Sequence, residues 1–460
     1  MRAERRTIVP VAVVSVERPT IAPANNLSLF VAILKQQYKL PSGIVIKRKG
    51  NKRLFLNPSV PAWIVTNPNG AKALKLCNGK RTVEEISKRI STFLQRDARD
   101  EIQNFFQEVV SQSNLFSLPD QERFPRRPHG LQIVHLNLTD KCNLKCIYCY
   151  ADERVGKKQK LQHRDYLELV DSINNISRDV KIALTGGEPL MASYALDVAE
   201  YAKKKGNQVH LISNGILINK ENAERIAEVF DLIKISLDGS TRQVHDFHRG
   251  EASYDRTEAA IELLIRNNAS LQISMTVTKK NIGDIESMVS KYGSRLSFAP
   301  LFKAGRARKK KGLAVTGSEY YKALSSIEGV DPLGYLCSSL DATKRRRITK
   351  CATGDGEISI SDTGDVYPCH LLHLPQFLAG NVREQPLEFI YQTSEKLKVC
   401  RELTVSKIKG CRECDIRFIC GGACRARAFY EKDRIDVSDD FCRYEKLAFI
   451  NGLFELHKFR

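Results

Sequence analysis

Between residues 131 and 301 the hydrophobic pattern alternates between two periods. Short apolar runs of β character lie at 131–138 (LQIVHLNL), 180–185 (VKIALT), 208–213 (QVHLIS), 231–237 (DLIKISL), 271–277 (LQISMTV) and 295–301 (RLSFAPL). Between them come amphipathic stretches such as YLELVDSINNIS, YALDVAEYAKKKG and TEAAIELLIRNN, with apolar residues at helical spacing. Repeated strand–helix units imply a parallel sheet. Six of them in about 170 residues suit an α/β fold, a partial (β/α)6 TIM-type barrel with its chemistry at the C-terminal strand ends.

The pattern before residue 117 is different. GIVIKRK, RLFLN and AWIVT are short β-rich runs broken by turns. GAKALKLCNGK reads as a short helix stopped at Asn78-Gly79, and Thr82 with Glu85 forms a capping box for the next helix. ARDEIQNFFQEVVSQSNLF puts Ile102, Phe105, Phe106, Val109 and Val110 on one helical face. Three strands and three helices of this size predict a winged-helix-like α+β domain over 37–117, after an extension of 1–36. The third helix carries more acid than base, which argues against a nucleic-acid recognition helix. The proline-rich stretch 118–130 is a linker.

The chain has 460 residues, 42% of them apolar, enough for two or three domains with their own cores. No apolar run reaches the ~18 residues of a membrane span. The basic, apolar start is interrupted by Pro10 and Glu17 and does not read as a signal peptide, so a cytoplasmic, reducing setting is expected. There, thirteen cysteines read as metal or cluster ligands rather than disulfides. The net charge of +20 fits nucleic acid, an acidic peptide or simply a solvated basic surface. Its densest runs, GRARKKKG from Gly305 and TKRRR from Thr343, read as surface loops.

The cysteines cluster. Cys142, Cys146 and Cys149, spaced Cys-x3-Cys-x2-Cys, follow the first barrel strand. Three thiolates on a four-iron cubane leave one iron free for a chelating small molecule; a zinc site with a distant fourth ligand is the alternative. The motif, with Tyr148 before its third cysteine, resembles that of the radical S-adenosylmethionine (SAM) enzymes, whose cluster binds the methionyl end of SAM. The following strand ends carry matching motifs in order: LTGGEPL with Gly186, Gly187 and Glu188, ISNG with Ser213, and SLDG with Ser236. By this resemblance Glu188 holds the SAM amine, and Arg249 and Arg256 are candidates for its carboxylate. The two glycines let the backbone approach a ligand closely. The resemblance covers about 130–305, with the barrel assigned to 131–305.

The last third, 306–460, resembles the SPASM domain of peptide-modifying radical SAM enzymes. Cys351-x12-Gly364-x4-Cys369 is followed by Cys411-x2-Cys414-x5-Cys420-x3-Cys424-x17-Cys442. The resemblance implies two auxiliary [4Fe–4S] clusters: Cys351, Cys369 and Cys424 for the nearer, and Cys411, Cys414, Cys420 and Cys442 for the farther. Cys337 is a candidate to complete the nearer one. Paired zinc knuckles are the alternative. Cys77 reads as a buried apolar residue and Cys400 as a spare thiol.

Residues 37–117 resemble the PQQ-chaperone-like recognition elements of ribosomal-peptide biosynthesis, in which a precursor's leader adds as a strand to the sheet edge and packs on the third helix. The resemblances together imply a radical SAM maturase that uses SAM and three [4Fe–4S] clusters to modify a precursor peptide, forming a thioether or other crosslink. They also imply an electron donor such as flavodoxin or ferredoxin, and no membrane or nucleic-acid partner. A maturase of a folded protein, as in anaerobic sulfatase-maturing relatives, is the second reading. A zinc-containing winged-helix regulator is the third.

Overall fold

The computed structural model describes residues 32–113, 115–116, 130–150, 160–327, 330 and 347–455. Cys337 and Thr343–Arg346 therefore lie outside the described residues.

Near the N-terminus, β1 (Gln37–Lys39) precedes an antiparallel sheet of β2 (Val45–Lys49), β3 (Lys52–Asn57) and β4 (Ala62–Thr66), in that spatial order. Both faces of β3 and β4 are buried. Phe55 and its partner Ile64 face the helices Pro68–Lys75, Val83–Leu94 and Arg99–Glu108. The alternate positions Leu54, Leu56 and Trp63 face Ile416, Ile419, Phe449, Leu453 and Phe454, far along the chain. Strand side chains alternate faces, so one short sheet serves two cores.

The expected capping box is present. Thr82 Oγ1 accepts from the Glu85 N–H and the Glu85 carboxylate accepts from the Thr82 N–H. The helix before it ends earlier than expected, at Lys75, because Asn78–Thr82 forms β5 and pairs antiparallel with β1. That strand, NGKRT, has no apolar alternation to announce it.

The barrel strands are β6 (Ile133–Thr139), β7 (Lys181–Gly186), β8 (Gln208–Ser213), β9 (Leu232–Ser236), β10 (Leu271–Val277) and β11 (Leu296–Pro300), all parallel and in sequential order. Each lies within about two residues of its sequence expectation. Val134, Leu136, Ile182, Leu184, Leu211 and Ile233 are fully buried under the surrounding helices. The sheet then continues past β6. β12 (Glu357–Ile360) pairs parallel with β6, and β13 (Asp365–Tyr367) and β14 (Gly380–Asn381) add antiparallel strands. Asn137 reinforces the seam, its Nδ2 donating to the Ile360 carbonyl at 2.8 Å. The cysteine-rich end of the chain thus shares a sheet with the barrel, on the strand that leads into the triple-cysteine loop.

Among the described residues, no helix is long and apolar enough to cross a membrane.

Candidate active site

The loop after β6 carries Cys142, Cys146 and Cys149, partly or fully exposed. The next strand end holds it in place. The Gly187 N–H donates to the Thr139 carbonyl at 2.8 Å and the Glu188 N–H to the Lys141 carbonyl at 2.9 Å. A Cβ on Gly187 would sit 2.1 Å from the Lys141 oxygen and 2.8 Å from that of Asp140. Glycine is therefore needed here for the close approach of the cysteine loop. Gly186 is crowded in the same way by Thr139, at φ +138°.

Glu188 is 1% exposed. Ser213 Oγ donates to its Oε1 at 2.8 Å, and the backbone N–H groups of Asn214 and Leu190 donate at 2.8 and 3.2 Å. Burial raises its pKa in spite of these donors. Asn214 extends the network, its Nδ2 donating to Asn143 of the cysteine loop at 2.8 Å. Two strand ends thus brace one loop through a single buried carboxylate.

A second brace comes from the fourth strand end. The Tyr148 hydroxyl donates to Asp238, Arg249 Nε donates to the same carboxylate oxygen at 2.6 Å, and Arg249 Nη2 meets the Tyr148 hydroxyl at 2.9 Å. The backbone N–H of Thr276 donates to the other Asp238 oxygen at 2.8 Å. Burial works against the Asp238 charge, but Arg249 and these donors hold its carboxyl below the usual range. The Ile147 N–H donates to the His248 carbonyl at 2.9 Å. Tyr148 and Arg249 are therefore brought together, but to lock the loop onto helix Arg242–Arg249. Arg256, on helix Ser253–Arg266, reaches the Ile216 carbonyl at 3.4 Å, and Ser236 lies on β9 opposite Ser274.

GRARKKKG begins as part of this site, contrary to its reading as a surface loop. Gly305 and Ala307 are buried, and the Arg306 N–H donates to the Cys149 carbonyl at 3.0 Å. A Cβ on Gly305 would meet that carbonyl at 2.2 Å. Only Arg308–Gly312 are exposed.

The remaining cysteines fall into two groups. Burial, and then neighbouring charges that include other thiols, raise Cys369 (near Cys424 and Cys351) and Cys424 (near Cys351) in one group, and Cys411 (near Cys414), Cys420 (near Cys442) and Cys442 (near Cys411 and Cys414) in the other. Burial pushes the Cys146 and Cys424 thiols up to about 11 and Cys442 to about 12. Backbone N–H groups nonetheless aim at sulfur, Leu144 at Cys142 and Leu371 at Cys369, both at 3.5 Å. Clustered thiols, some with N–H donors on their sulfurs, are a donor set that fits iron–sulfur clusters. Arg425 donates to the carbonyls of Ile435 and Val437 at 2.8 Å, and Arg427 pairs with Asp439 at 2.8 Å and with Glu445, fixing the segment that carries Cys442. Cys77 sits in the N-terminal core and Cys400 is buried beside Gly354.

Sequence reading missed Asp238 and Asn214, although both stand inside the quoted motifs SLDG and ISNG. It also missed a lumen cluster. His370 Nδ1 lies 2.7 Å and His135 Nε2 3.5 Å from Glu357 Oε1. Despite burial, His370 and His135 hold the Glu357 carboxyl down at about 2, and burial takes His135 to about 3.

Comparison with known proteins agrees with this arrangement. Residues 136–291 match the model of the radical SAM superfamily, and residues 351–415 match SPASM, an iron–sulfur cluster-binding domain. The chain carries a radical SAM domain and a SPASM domain; it is an enzyme whose cofactors are SAM and [4Fe–4S] clusters. It is 27% identical to an AdoMet-dependent heme synthase of Methanosarcina barkeri, over 68% of this chain and 96% of that one. It is also 27% identical to the mycofactocin maturase MftC of Mycobacterium tuberculosis, over 70% and 85%. Its fold resembles native anSMEcpe with bound AdoMet (TM-score 0.59, 20% identity, 71% of this chain and 98% of that chain). It also resembles Streptococcus suis SuiB bound to precursor peptide SuiA (TM-score 0.54, 15% identity, 87% and 98%). The zinc-regulator reading is set aside by the enzyme family.

Proposed function

We propose that this enzyme modifies a ribosomally made precursor peptide, whose leader docks on the N-terminal domain and whose core enters the barrel. The observation that carries the reading is the N-terminal sheet. It is bolted to the C-terminal domain through Leu54, Leu56 and Trp63, yet among the described residues β4 pairs only with β3 and leaves an edge without a strand. That edge lies against the π-helical turn Val109–Ser113, which continues the third helix. An extended leader added there would have a helix to pack on.

When bound, the first cluster and SAM supply a 5′-deoxyadenosyl radical that takes a hydrogen atom from a substrate carbon. In this reading Cys142, Cys146 and Cys149 hold that cluster, and Glu188, Ser213, Ser236, Arg249 and Arg256 surround SAM. Arg249 acts chiefly by holding Tyr148 and Asp238. Cys351, Cys369 and Cys424, with Cys337 as a fourth candidate, hold the nearer auxiliary cluster. Cys411, Cys414, Cys420 and Cys442 hold the farther, three in all. Lys407, Lys409, Arg412, Arg443 and Lys446 line a cleft of about 540 Å³ beside Cys414 and Cys442; it suits an acidic electron donor of flavodoxin or ferredoxin type. The product of this reading is a thioether or other crosslink.

The test is anaerobic purification and assay with a candidate precursor. The protein should be brown, carry about twelve irons and form 5′-deoxyadenosine. The triple Cys→Ala variant at 142, 146 and 149 should lose that activity and keep its auxiliary clusters. Residues 37–117 alone should bind the leader. A full-length enzyme that modifies core peptide equally well with and without its leader would refute the docking role.

A further inference from the structure

The barrel lumen is polar and carries an uncompensated charge. On β8, β9 and β10, Leu211, Ile233, Ile235, Ile273 and Met275 are buried under the helices. The alternate positions His210, Lys234, Ser236, Gln272 and Ser274 keep part of their surface exposed. Side chains alternate faces along a strand, so this second row lines the lumen. Lys234 lies near its middle, beside Ile212 on β8 and Gln272 on β10.

Lys234 is partly buried and makes no hydrogen bond or ion pair among the described residues. Its charged neighbours are cations or imidazoles: burial and then Lys181 lower its own pKa, and its charge in turn bears on His210 and His135. Glu357, whose strand position shares the lumen face with His135, is already engaged by His370 and His135. A half-buried ammonium with no ion-pair partner is only partly solvated and gains from an opposite charge. A ligand can bring that charge.

We propose that Lys234 receives a carboxylate of the substrate peptide, supplied by an Asp or Glu side chain or by the peptide's C-terminus. This rests on the peptide-modifying reading and names the group by which that substrate is held. Ser236 stands two residues further along the same face, towards the cysteine-loop end of the barrel. On the wall formed with β12, His370 follows Cys369 directly. A carboxylate on Lys234 therefore holds the peptide on the lumen face of β9, two residues before Ser236.

The probes are three synthetic peptides: Ac-Gly-Glu-Gly-amide, Ac-Gly-Gln-Gly with a free C-terminal carboxylate, and Ac-Gly-Gln-Gly-amide with neither. Affinities are measured by calorimetry with the cluster-loaded holoenzyme and SAM present. The wild type should bind one acidic peptide at least about tenfold more tightly than the neutral one, as a charge-assisted hydrogen bond implies. The peptide that wins identifies the source of the carboxylate. Lys234→Met should abolish the preference, and Lys234→Arg should retain it. Because each preference is a ratio within one protein, a change in overall stability cancels. Equal affinity for all three peptides, binding of none, or a preference surviving in Lys234→Met would overturn the proposal. So would loss of SAM affinity in Lys234→Met with the peptide preference intact, since the lysine would then serve SAM. SAM cleavage by the wild type, measured in parallel, reports on the enzyme reading independently.

Discussion

Gly187→Ala tests how far the cysteine loop depends on the close approach of this strand end. The new Cβ would lie 2.1 Å from the Lys141 oxygen and 2.6 Å from its carbonyl carbon. Ordinary contact needs about 3.4 Å, so the loop must retreat by roughly 1 Å. Both backbone bonds across the gap, Gly187 to Thr139 and Glu188 to Lys141, are stretched. Each contributes about 1 kcal/mol net, and steric strain adds about 1–3 kcal/mol, giving a local loss of about 3–5 kcal/mol. The loop cannot move without shifting Cys142, one residue beyond Lys141. A 1 Å misplacement at a reacting centre costs about 100-fold in rate. The assay is 5′-deoxyadenosine formation by the reconstituted variant, with the auxiliary-cluster spectrum as a control. Loss of about 100-fold, with that spectrum unchanged, is expected. Activity within twofold of wild type would refute the reasoning, because the clash would then have been absorbed elsewhere.

Glu188→Gln places an amide NH2 against either Ser213 or the Asn214 N–H; SAM affinity should fall by about 1–3 kcal/mol, measured by equilibrium binding. His245 is fully buried with its pKa lowered to about 4 by burial and the Arg249 charge, against about 6.5 unfolded. Its contribution is whole above pH 6.5 and is lost as pH falls towards 4, at about 1.4 kcal/mol per unit. Chemical denaturation at pH 7.5 and 5.5 should show a smaller loss for His245→Asn than for wild type. Trp63 is the only tryptophan and is 3% exposed against Phe449 and Leu453; Phe449→Ala should loosen the seam by about 3–5 kcal/mol and shift its fluorescence to the red. Unshifted emission would mean that the N-terminal sheet does not rely on that contact.

The sequence by itself determined the periodic elements and the chemistry-bearing motifs. Six barrel strands were legible because a strand buried under helices must be apolar on that face, as Leu184 and Ile233 are. The Thr82 capping box was legible because its partners lie three residues apart. The cysteines were legible because cluster ligation depends on short spacings. Tertiary structure alone decided what joins distant segments. That Leu54 and Trp63 face Phe449 rather than solvent is invisible locally, because either face of a short strand can be the outer one. β12 joining β6 depends on a backbone ladder between residues more than 200 apart, and backbone carries no sequence signature. Arg249 was a candidate in the sequence through its place after the SLDG motif, but only the fold brings Asp238 and Tyr148 to it. Gly187 likewise announced a close approach, but only the folded chain shows that what approaches is the cysteine loop itself.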